Sequence, residues 1–495
     1  MTQTKEGEFG KIRQILWPIH NYELKKFIPM FVMFFFINFN YSILRIMKDS
    51  LVVNAPGSGA EVIPFLKLWG TTPAAIVFVA IYIKLGLTLS RKALFYTTLM
   101  PFLAFFLVFP YVLYPNLDIL HPTVSADWLQ SILPAGLSGF VAIYRNWTFS
   151  LFYVLAEIWG SLILSTLYWS FANETTSVKE AKRFYALFLM GANLALLLIA
   201  PAARYAKSLG SWSATLTFVL NIAIFSTTAV ALLYWYINRY VLTDPRFAKS
   251  EEEVKPKKAS KVKLGFVDSL RELGKSRYLA MLALMVLAYG ISINLVEVTW
   301  KHNLKQYFNG DPQGFFNFQA MMMSATGVCT LTFLYFGTNN VLRRFGWYGA
   351  AIFTPVVLLI TSTLFFANLT FSEFLTGMLS TMGVLPLLMA AWAGGIQNVL
   401  SKSTKYSFFD PTKEMAYIPL DENSKRTGKA AIDGVGGRLG KSGGALINII
   451  LISIFGSIDA ITPYVGIITI FIIILWIVCV KKLNKEFLLL TEGKS

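Results

Sequence analysis

Long apolar runs separated by short charged segments repeat along the whole chain. A transmembrane helix needs about 20 mostly apolar residues, and runs of about this length recur from end to end. The pattern therefore predicts an all-α integral membrane protein with twelve transmembrane helices. The predicted spans are 27–46, 63–83, 93–114, 138–168, 184–203, 213–238, 278–299, 319–337, 347–368, 374–396, 430–455 and 461–480.

The composition agrees with a membrane protein, since 55% of the residues are hydrophobic and 14% are charged. A soluble chain is about one quarter charged. The net charge of +17 could indicate nucleic-acid binding, but most of the 44 Lys and Arg residues fall in alternate connecting segments. This asymmetry follows the positive-inside rule and predicts that both termini lie in the cytoplasm. We therefore expect no nucleic-acid partner.

The first 26 residues are mixed in charge and amphipathic. They lack the short apolar core and small-residue cleavage site of a signal peptide, and they are not the acid-poor, Ser- and Arg-rich stretch of a transit peptide. We expect the first helix to insert uncleaved, as in a bacterial inner-membrane protein with several spans.

The strongest break in composition is the segment 241–277, which is dense in charges of both signs. It separates six predicted spans from six others, so we expect a six-helix bundle over 1–240, a cytoplasmic linker over 241–277 and a second six-helix bundle over 278–495. Two six-helix bundles with a polar linker are typical of carriers like the major facilitators, which bind their substrate at the midplane between the halves.

Several charged residues lie inside or at the ends of the apolar runs. Charges at membrane depth are costly and usually mark a transport pathway. Glu157 is the clearest case, because a short carboxylate cannot reach the interface from mid-helix, whereas a lysine or arginine at a helix end can. Lys67 and Arg145 are interpreted as interfacial or structural. The candidate pathway charges are Arg45, Lys48, Glu157, Glu297, Arg438 and Lys441.

Together these charges indicate an anion site with its own counter-charges. The four basic residues could neutralise a polyphosphate, while Glu157 and Glu297 could pair with them when the site is empty. An unpaired buried charge is costly. An empty site that must rearrange its salt bridges could therefore cross the membrane only in certain states, which is one physical route to obligate exchange.

Other kinds of site are not indicated. The Gly-Lys-Ser at 440–442 lacks the glycine that a P-loop requires at position 435, which is Val, and the surrounding glycines suit close helix packing. The histidines and the two cysteines show no metal-ligand spacing, and no nucleophile–base arrangement is present. We therefore predict no metal, no cofactor and no catalytic site. The polar stretch 398–428 is interpreted as a cytoplasmic loop.

Several motifs resemble those of the bacterial and plastid ATP/ADP translocase family, nearly from end to end of the chain. They include WPIHNYELKKFIPMF, NYSILRIMKDSLVV, WTFSLFYVLAEIWG, AYGISINLVEVTWK and GGRLGKSGGALI. The resemblance, closest to the chlamydial type, implies a twelve-helix carrier that imports ATP in exchange for ADP, with phosphate as a further candidate ion. It also implies that Lys48, Glu157, Glu297 and Lys441 are essential for transport.

The resemblance leaves alternatives open, because the family also contains proton-coupled nucleoside triphosphate symporters and an NAD/ADP exchanger. A membrane-embedded enzyme and a structural or receptor protein are weaker alternatives, since the first lacks catalytic residues and the second leaves the buried charges unexplained. For stacking on the base we select Tyr41, Tyr153 and Trp300, although aromatic residues are abundant in any membrane protein. We expect a monomer.

Overall fold

The computed structural model describes residues 17–247, 276–372, 385–429, 431–432 and 436–492, and nearly all of these residues are helical. Ten helices in the described ranges are long and apolar enough to cross a membrane. The prediction of an all-α membrane protein is therefore confirmed. Most of the predicted linker, 248–275, lies outside the described residues, as does the start of the predicted span 374–396.

The first part of the chain, described from residue 17 to residue 247, contains six long helices and three short ones. Ser177 and Ser211 each accept a hydrogen bond from a backbone N–H of the helix that follows, which allows tight turns between helices. The helices are α1 Leu24–Val53, α2 Val62–Thr88, α3 Arg91–Leu120, α4 Thr123–Ile132, α5 Ser138–Arg145, α6 Trp147–Thr175, α7 Val178–Leu197, α8 Ile199–Ser208 and α9 Trp212–Val241.

The second part begins at residue 276. Its helices are α10 Arg277–Tyr307, α11 Pro312–Thr332, α12 Asn339–Thr370, α13 Pro386–Thr404, α14 Glu422–Lys429, α15 Gly437–Phe455 and α16 Ile458–Glu492. A wider π-helical segment, Phe333–Thr338, joins α11 to α12. Within α12 the helix is interrupted at Gly346, which adopts φ 65° and ψ −166°. This left-handed φ favours glycine.

Two predicted boundaries are wrong. The span 138–168 is divided at Asn146, whose φ of −111° and ψ of 46° separate α5 from α6. The expected loop 398–428 is helical in its first part, because α13 runs to Thr404 and continues through Lys405–Phe409 and Asp410–Ala416. Polar residues that sequence reasoning assigned to a loop are therefore buried in a helix.

The two ends of the bundle are identified by contacts between helix termini. Lys25 at the start of α1 lies 3.3 Å from Asp244, just after α9. Arg277 at the start of α10 lies 3.5 Å from Glu486 near the end of α16. We call this the terminal end, and the end where α1 and α10 finish the opposite end.

Contacts between the two parts of the chain close the opposite end. Gly136 lies so near α15 that an added Cβ would be 2.5 Å from the Cα of Ser453, and Lys305 donates a hydrogen bond to the carbonyl of Ser58. The side of the bundle is joined where α7 and α8 pack on α11, with the Ser324 hydroxyl donating to the Leu196 carbonyl at 2.8 Å. The core between these contacts is mostly aromatic and aliphatic.

Candidate functional site

A cavity of about 260 Å³ lies between α1, α2, α6 and α15. It extends from the level of Lys67 and Glu157 towards the terminal end, because Ala75 and Ser165, which also line it, lie further along α2 and α6 in that direction. The side chains of Arg438 and Lys441 are exposed. Most of the residues that line it have polar side chains. The residues that line it are Tyr41, Lys67, Thr71, Thr72, Ala75, Glu157, Ile158, Gly160, Ser161, Ser165, Arg438, Lys441 and Ser442.

Three helices that supply charged side chains to the site contain wider π-helical turns at that level. Leu66–Thr71 includes Lys67, and Trp159–Tyr168 begins two residues after Glu157. Lys405–Phe409 begins three residues after Lys402. Such turns often occur at functional sites, where the extra residue per turn redirects side chains.

Lys48 lies at the centre of the charges contributed by the first part of the chain. Its ammonium is 2.8 Å from the Asp49 carboxylate and 3.0 Å from the Glu157 carboxylate. It also lies 3.7 Å from the ring centre of Tyr153, in a cation–π contact. Lys48 and Asp49 are each 2% exposed, whereas the Glu157 side chain is 30% exposed and faces the cavity. The Lys48 charge is thus stabilised by two carboxylates and one ring.

Glu297 is the corresponding centre in the second part. Its carboxylate lies 3.3 Å from Lys301 and 3.6 Å from Lys402. Arg45 and Lys67, which belong to the first part, are each 3.7 Å from it. One buried carboxylate is thus shared by four cations, two from each part of the chain. Glu297 therefore links the two parts electrostatically.

Glycines bring α15 against α10 beside this charged group. A Cβ added to Gly290 would lie 2.9 Å from the Cα of Gly440, and one added to Gly444 would lie 2.8 Å from the Cβ of Asn294. The backbones therefore approach closely, as the glycine-rich sequence predicted. Asn294 in turn accepts a hydrogen bond from Lys67 of α2.

Arg438 and Lys441 differ from the other cations of the site. Both line the cavity, and within the described ranges neither has a carboxylate within 4.0 Å. The group as a whole contains seven basic and three acidic side chains, an excess of four positive charges. Its members are Arg45, Lys48, Lys67, Lys301, Lys402, Arg438 and Lys441 with Asp49, Glu157 and Glu297.

The three aromatic candidates occupy different positions. Tyr41 lines the cavity and packs on Gly160. Tyr153 is fully buried beneath Lys48. Trp300 is 2% exposed, and its indole N–H donates to the Ala391 carbonyl at 2.9 Å. In this conformation only Tyr41 of the three presents its ring to the cavity.

The structure adds four charged residues that sequence reasoning missed or placed elsewhere. Lys67 was interpreted as interfacial or structural, but it lines the cavity. Lys402 was assigned to a loop, but it is 8% exposed within α13. Asp49 and Lys301 form a buried pair at 2.7 Å. Arg145, by contrast, pairs with Asp127 at 2.6 Å, away from the cavity, as its structural interpretation predicted.

Sequence signals for these residues existed. Lys301 follows Glu297 by four residues, which places both on one helix face. Asn398, Lys402 and Lys405 have helical spacing, which is typical of a polar face rather than a loop. These patterns could have identified α13 as a further helix of the site.

The sequence matches a known protein family over almost its whole length. Residues 2–487 match the family model described as TLC ATP/ADP transporter. The chain is 52% identical to "ADP,ATP carrier protein 1" of Chlamydia muridarum, over 100% of this chain and 94% of the relative. It is 47% identical to "ADP,ATP carrier protein 1, chloroplastic" of Arabidopsis thaliana, over 94% and 74%, and 40% identical to "ADP,ATP carrier protein 1" of Rickettsia prowazekii, over 99% of each.

Solved structures with a similar fold are more distant in sequence. A bacterial homologue of the iron transporter ferroportin superposes with a TM-score of 0.56 at 14% identity, covering 94% of this chain and 99% of that one. The nucleoside transporter NupG gives a TM-score of 0.52 at 12% identity, covering 94% of this chain and 100% of that one. At these identities the likeness concerns the fold alone, which is that of a membrane transporter.

Proposed function

Because the chain belongs to the TLC ATP/ADP transporter family, we propose that it exchanges external ATP for internal ADP across the bacterial inner membrane by alternating access. Family membership confirms the resemblance inferred from the motifs, and the chain is a multi-pass membrane transporter rather than an enzyme. Relatives named ADP,ATP carrier proteins support the choice of nucleotides.

The observation that carries the proposal is the charge of the cavity and of the ion pairs around it. A nucleotide polyphosphate carries several negative charges. The charged group has a formal excess of four basic side chains, and its members Arg438 and Lys441, which line the cavity, have no described carboxylate within 4.0 Å. Desolvating such a polyanion is costly unless fixed cations replace its water. The cavity supplies them from both parts of the chain.

We assign the phosphates to the four basic positions first identified in the sequence, Arg45, Lys48, Arg438 and Lys441, together with Lys67, which also lines the cavity. Lys441 and Arg438 contact the phosphates directly, and Lys48 and Arg45 turn towards them when Glu157 and Glu297 release these cations. In the empty site these two carboxylates pair with Lys48 and Arg45. Tyr41 faces the cavity and is the first candidate for stacking on the base. Tyr153 and Trp300 become candidates only in a conformation that exposes their rings.

The fold supports a twelve-span topology with two six-helix halves. The break at Gly346 divides the long stretch Pro312–Thr370 into two crossings, and α13 with its continuation to Ala416 supplies another. We propose halves over 1–240 and 278–495 joined by the cytoplasmic linker 241–277, with both termini cytoplasmic. The cavity then faces the cytoplasm in this conformation. The carrier acts as a monomer, without a metal or other cofactor.

Reconstituted proteoliposomes test the exchange directly. Uptake of labelled ATP is measured into vesicles loaded with ADP and into empty vesicles, with and without an acidic exterior. We expect uptake only when ADP is inside. Proton-driven uptake into empty vesicles would instead identify the symporter, and preferential exchange of NAD for ADP would identify the third family activity. Phosphate co-transport is examined with labelled phosphate in the same vesicles.

Two substitutions connect this activity with the site. Lys48→Ala and Lys441→Ala are expected to reduce ATP/ADP exchange severely while the protein still inserts into the membrane. Wild-type exchange in both variants would disprove the assignment of the phosphates to this cavity. Arg204→Ala is a matched control, because Arg204 is an exposed residue of α8 outside the cavity lining.

A further inference from the structure

Asp49 and Lys301 form an ion pair between the two halves on the closed side of the cavity. The carboxylate and the ammonium are 2.7 Å apart, and each residue is 2% exposed. Asp49 lies near the end of α1 and Lys301 near the end of α10. Neither residue lines the cavity that opens to the terminal end. The pair therefore lies between that cavity and the opposite end of the bundle.

Each member of this pair also has a partner in its own half. The second carboxylate oxygen of Asp49 is 2.8 Å from Lys48, its neighbour in α1. The Lys301 ammonium is 3.3 Å from Glu297, one turn away in α10. If the pair separates, Asp49 can stay with Lys48 and Lys301 with Glu297. Separation need not leave a buried charge without a partner.

In this structure, however, both of those partners are shared. Lys48 also contacts Glu157 at 3.0 Å. Glu297 also contacts Arg45 and Lys67, both from the first half, at 3.7 Å. Two further ion pairs therefore cross between the halves through Glu297, and they must break as well when the halves part at this level.

We propose that the Asp49–Lys301 ion pair holds the two halves together at the opposite end of the bundle and that bound substrate releases it. We call this pair the latch. The inference rests on the proposed function and adds a mechanism of coupling to it. Phosphates take Arg45 and Lys67 from Glu297, which is then free to hold Lys301 within the second half. The halves separate at the opposite end with their charges balanced. Without a polyanion, separation would leave Arg45 and Lys67 without a counter-ion, so the latch stays closed.

The test measures exposure of the opposite end with an introduced thiol. Ile452 is 1% exposed and its carbonyl borders Gly136 at the closed end, so Ile452→Cys is made in a background with Cys329→Ser and Cys479→Ser. Full-length protein in proteoliposomes is treated with a membrane-impermeant maleimide from the side opposite the termini. In the parent protein we expect slow labelling that ATP or ADP at the terminal side accelerates.

Asp49→Asn and Lys301→Gln are each expected to accelerate labelling without nucleotide by about tenfold or more, because one member of a buried pair is removed. The double variant should label no faster than either single variant, since both remove the same contact. Asp49→Glu retains the charge and should label slowly, which separates loss of the latch from a general folding defect.

Glu180→Gln is the matched control, because it removes the charge of one member of a partly buried pair at the terminal end, where Lys26 lies 2.9 Å from Glu180. Its labelling should remain that of the parent. Slow labelling in Asp49→Asn and Lys301→Gln, or equal acceleration in Glu180→Gln, would overturn the latch. Exchange by the parent is measured in the same vesicles; its absence would count against the proposed function, whatever the labelling rates are.

Discussion

Lys67→Gln is the most informative single change in the site, because Lys67 is a charged residue of the cavity that sequence reasoning had set aside. The ammonium lies 3.7 Å from Glu297 and donates to the side chain of Asn294, so it joins α2 to α10. Glutamine retains much of the length and the hydrogen-bonding ability but removes the charge. The change therefore isolates the electrostatic contribution of Lys67 to substrate binding.

The magnitude follows from the distance. Two unit charges 3.7 Å apart attract each other by about 4–5 kcal/mol at an effective dielectric constant near 20. A phosphate that displaces Glu297 lies at a similar distance from the Lys67 ammonium, but the ammonium then loses its attraction to the Glu297 carboxylate. The net contribution is then that of a charged hydrogen bond, about 1.5–3 kcal/mol. We expect the KM for ATP and for ADP to rise about tenfold to a hundredfold.

The assay is initial-rate uptake of labelled ATP into ADP-loaded proteoliposomes over a range of ATP concentrations. Lys84→Gln is the matched control, since Lys84 lies on the same helix, is exposed and is absent from the cavity lining. Lys67→Arg should retain much of the affinity, because it keeps the charge. A KM for Lys67→Gln within twofold of the control would refute a direct role of this charge in binding.

Further predictions concern packing, base binding, an outer ion pair and the driving force. Gly290→Val should destabilise the protein by about 1–3 kcal/mol through overpacking against α15, whereas Gly437→Ala, with nothing within 4 Å of its added Cβ, should leave the melting temperature unchanged. Tyr41→Ala should weaken nucleotide binding by about 1–3 kcal/mol, the contribution of one stacked base, whereas Tyr41→Phe should bind like the parent. Equal affinities of Tyr41→Ala and the parent would show that Tyr41 does not bind the base. Asp127→Asn breaks the exposed ion pair between Asp127 and Arg145 and should leave the exchange rate unchanged. A large loss of exchange would indicate that Arg145 takes part in transport. ATP/ADP exchange without a compensating ion moves about one net charge, so a valinomycin-imposed potential of 100 mV should bias it by about 2.3 kcal/mol, and an unaffected exchange would indicate a co-transported ion.

Much of the fold could be predicted from hydropathy because a helix in lipid must satisfy its backbone within itself. An apolar run of sufficient length therefore has few alternatives. The predicted boundaries that are wrong lie where the chain faces protein instead of lipid. Residues 398–404 are mostly polar, yet they continue α13 because they face protein, with Ser401, Ser403 and Thr404 completely buried. Asn146, which divides the predicted span 138–168, donates hydrogen bonds to the carbonyls of Pro56 and Ala142.

Only part of the charged site could be predicted from the sequence, because hydropathy reveals a charge in the middle of an apolar run more clearly than one near its end. Mid-span carboxylates such as Glu157 are conspicuous in a sequence, because nothing nearby is polar. Lys301 and Asp49 escaped notice because each lies near the end of an apolar run, where a charge is usually solvated. Their burial depends on where α1 and α10 meet, and that distance between residues 252 positions apart in the chain is set by tertiary packing. Hydropathy of a single segment carries no information about it.

The arrangement of charges gives a physical reason why exchange is favoured over simple passage. Of the contacts to Glu297, those from Lys301 and Lys402 lie within the second half, and those from Arg45 and Lys67 cross from the first. The crossing contacts must break whenever the halves separate at this level. A polyphosphate can replace Glu297 as their partner, whereas water in a narrow cavity replaces it poorly. Because ATP and ADP both carry phosphates, the proposed mechanism lets either one accompany the transition, and we expect the empty carrier to return slowly in either direction.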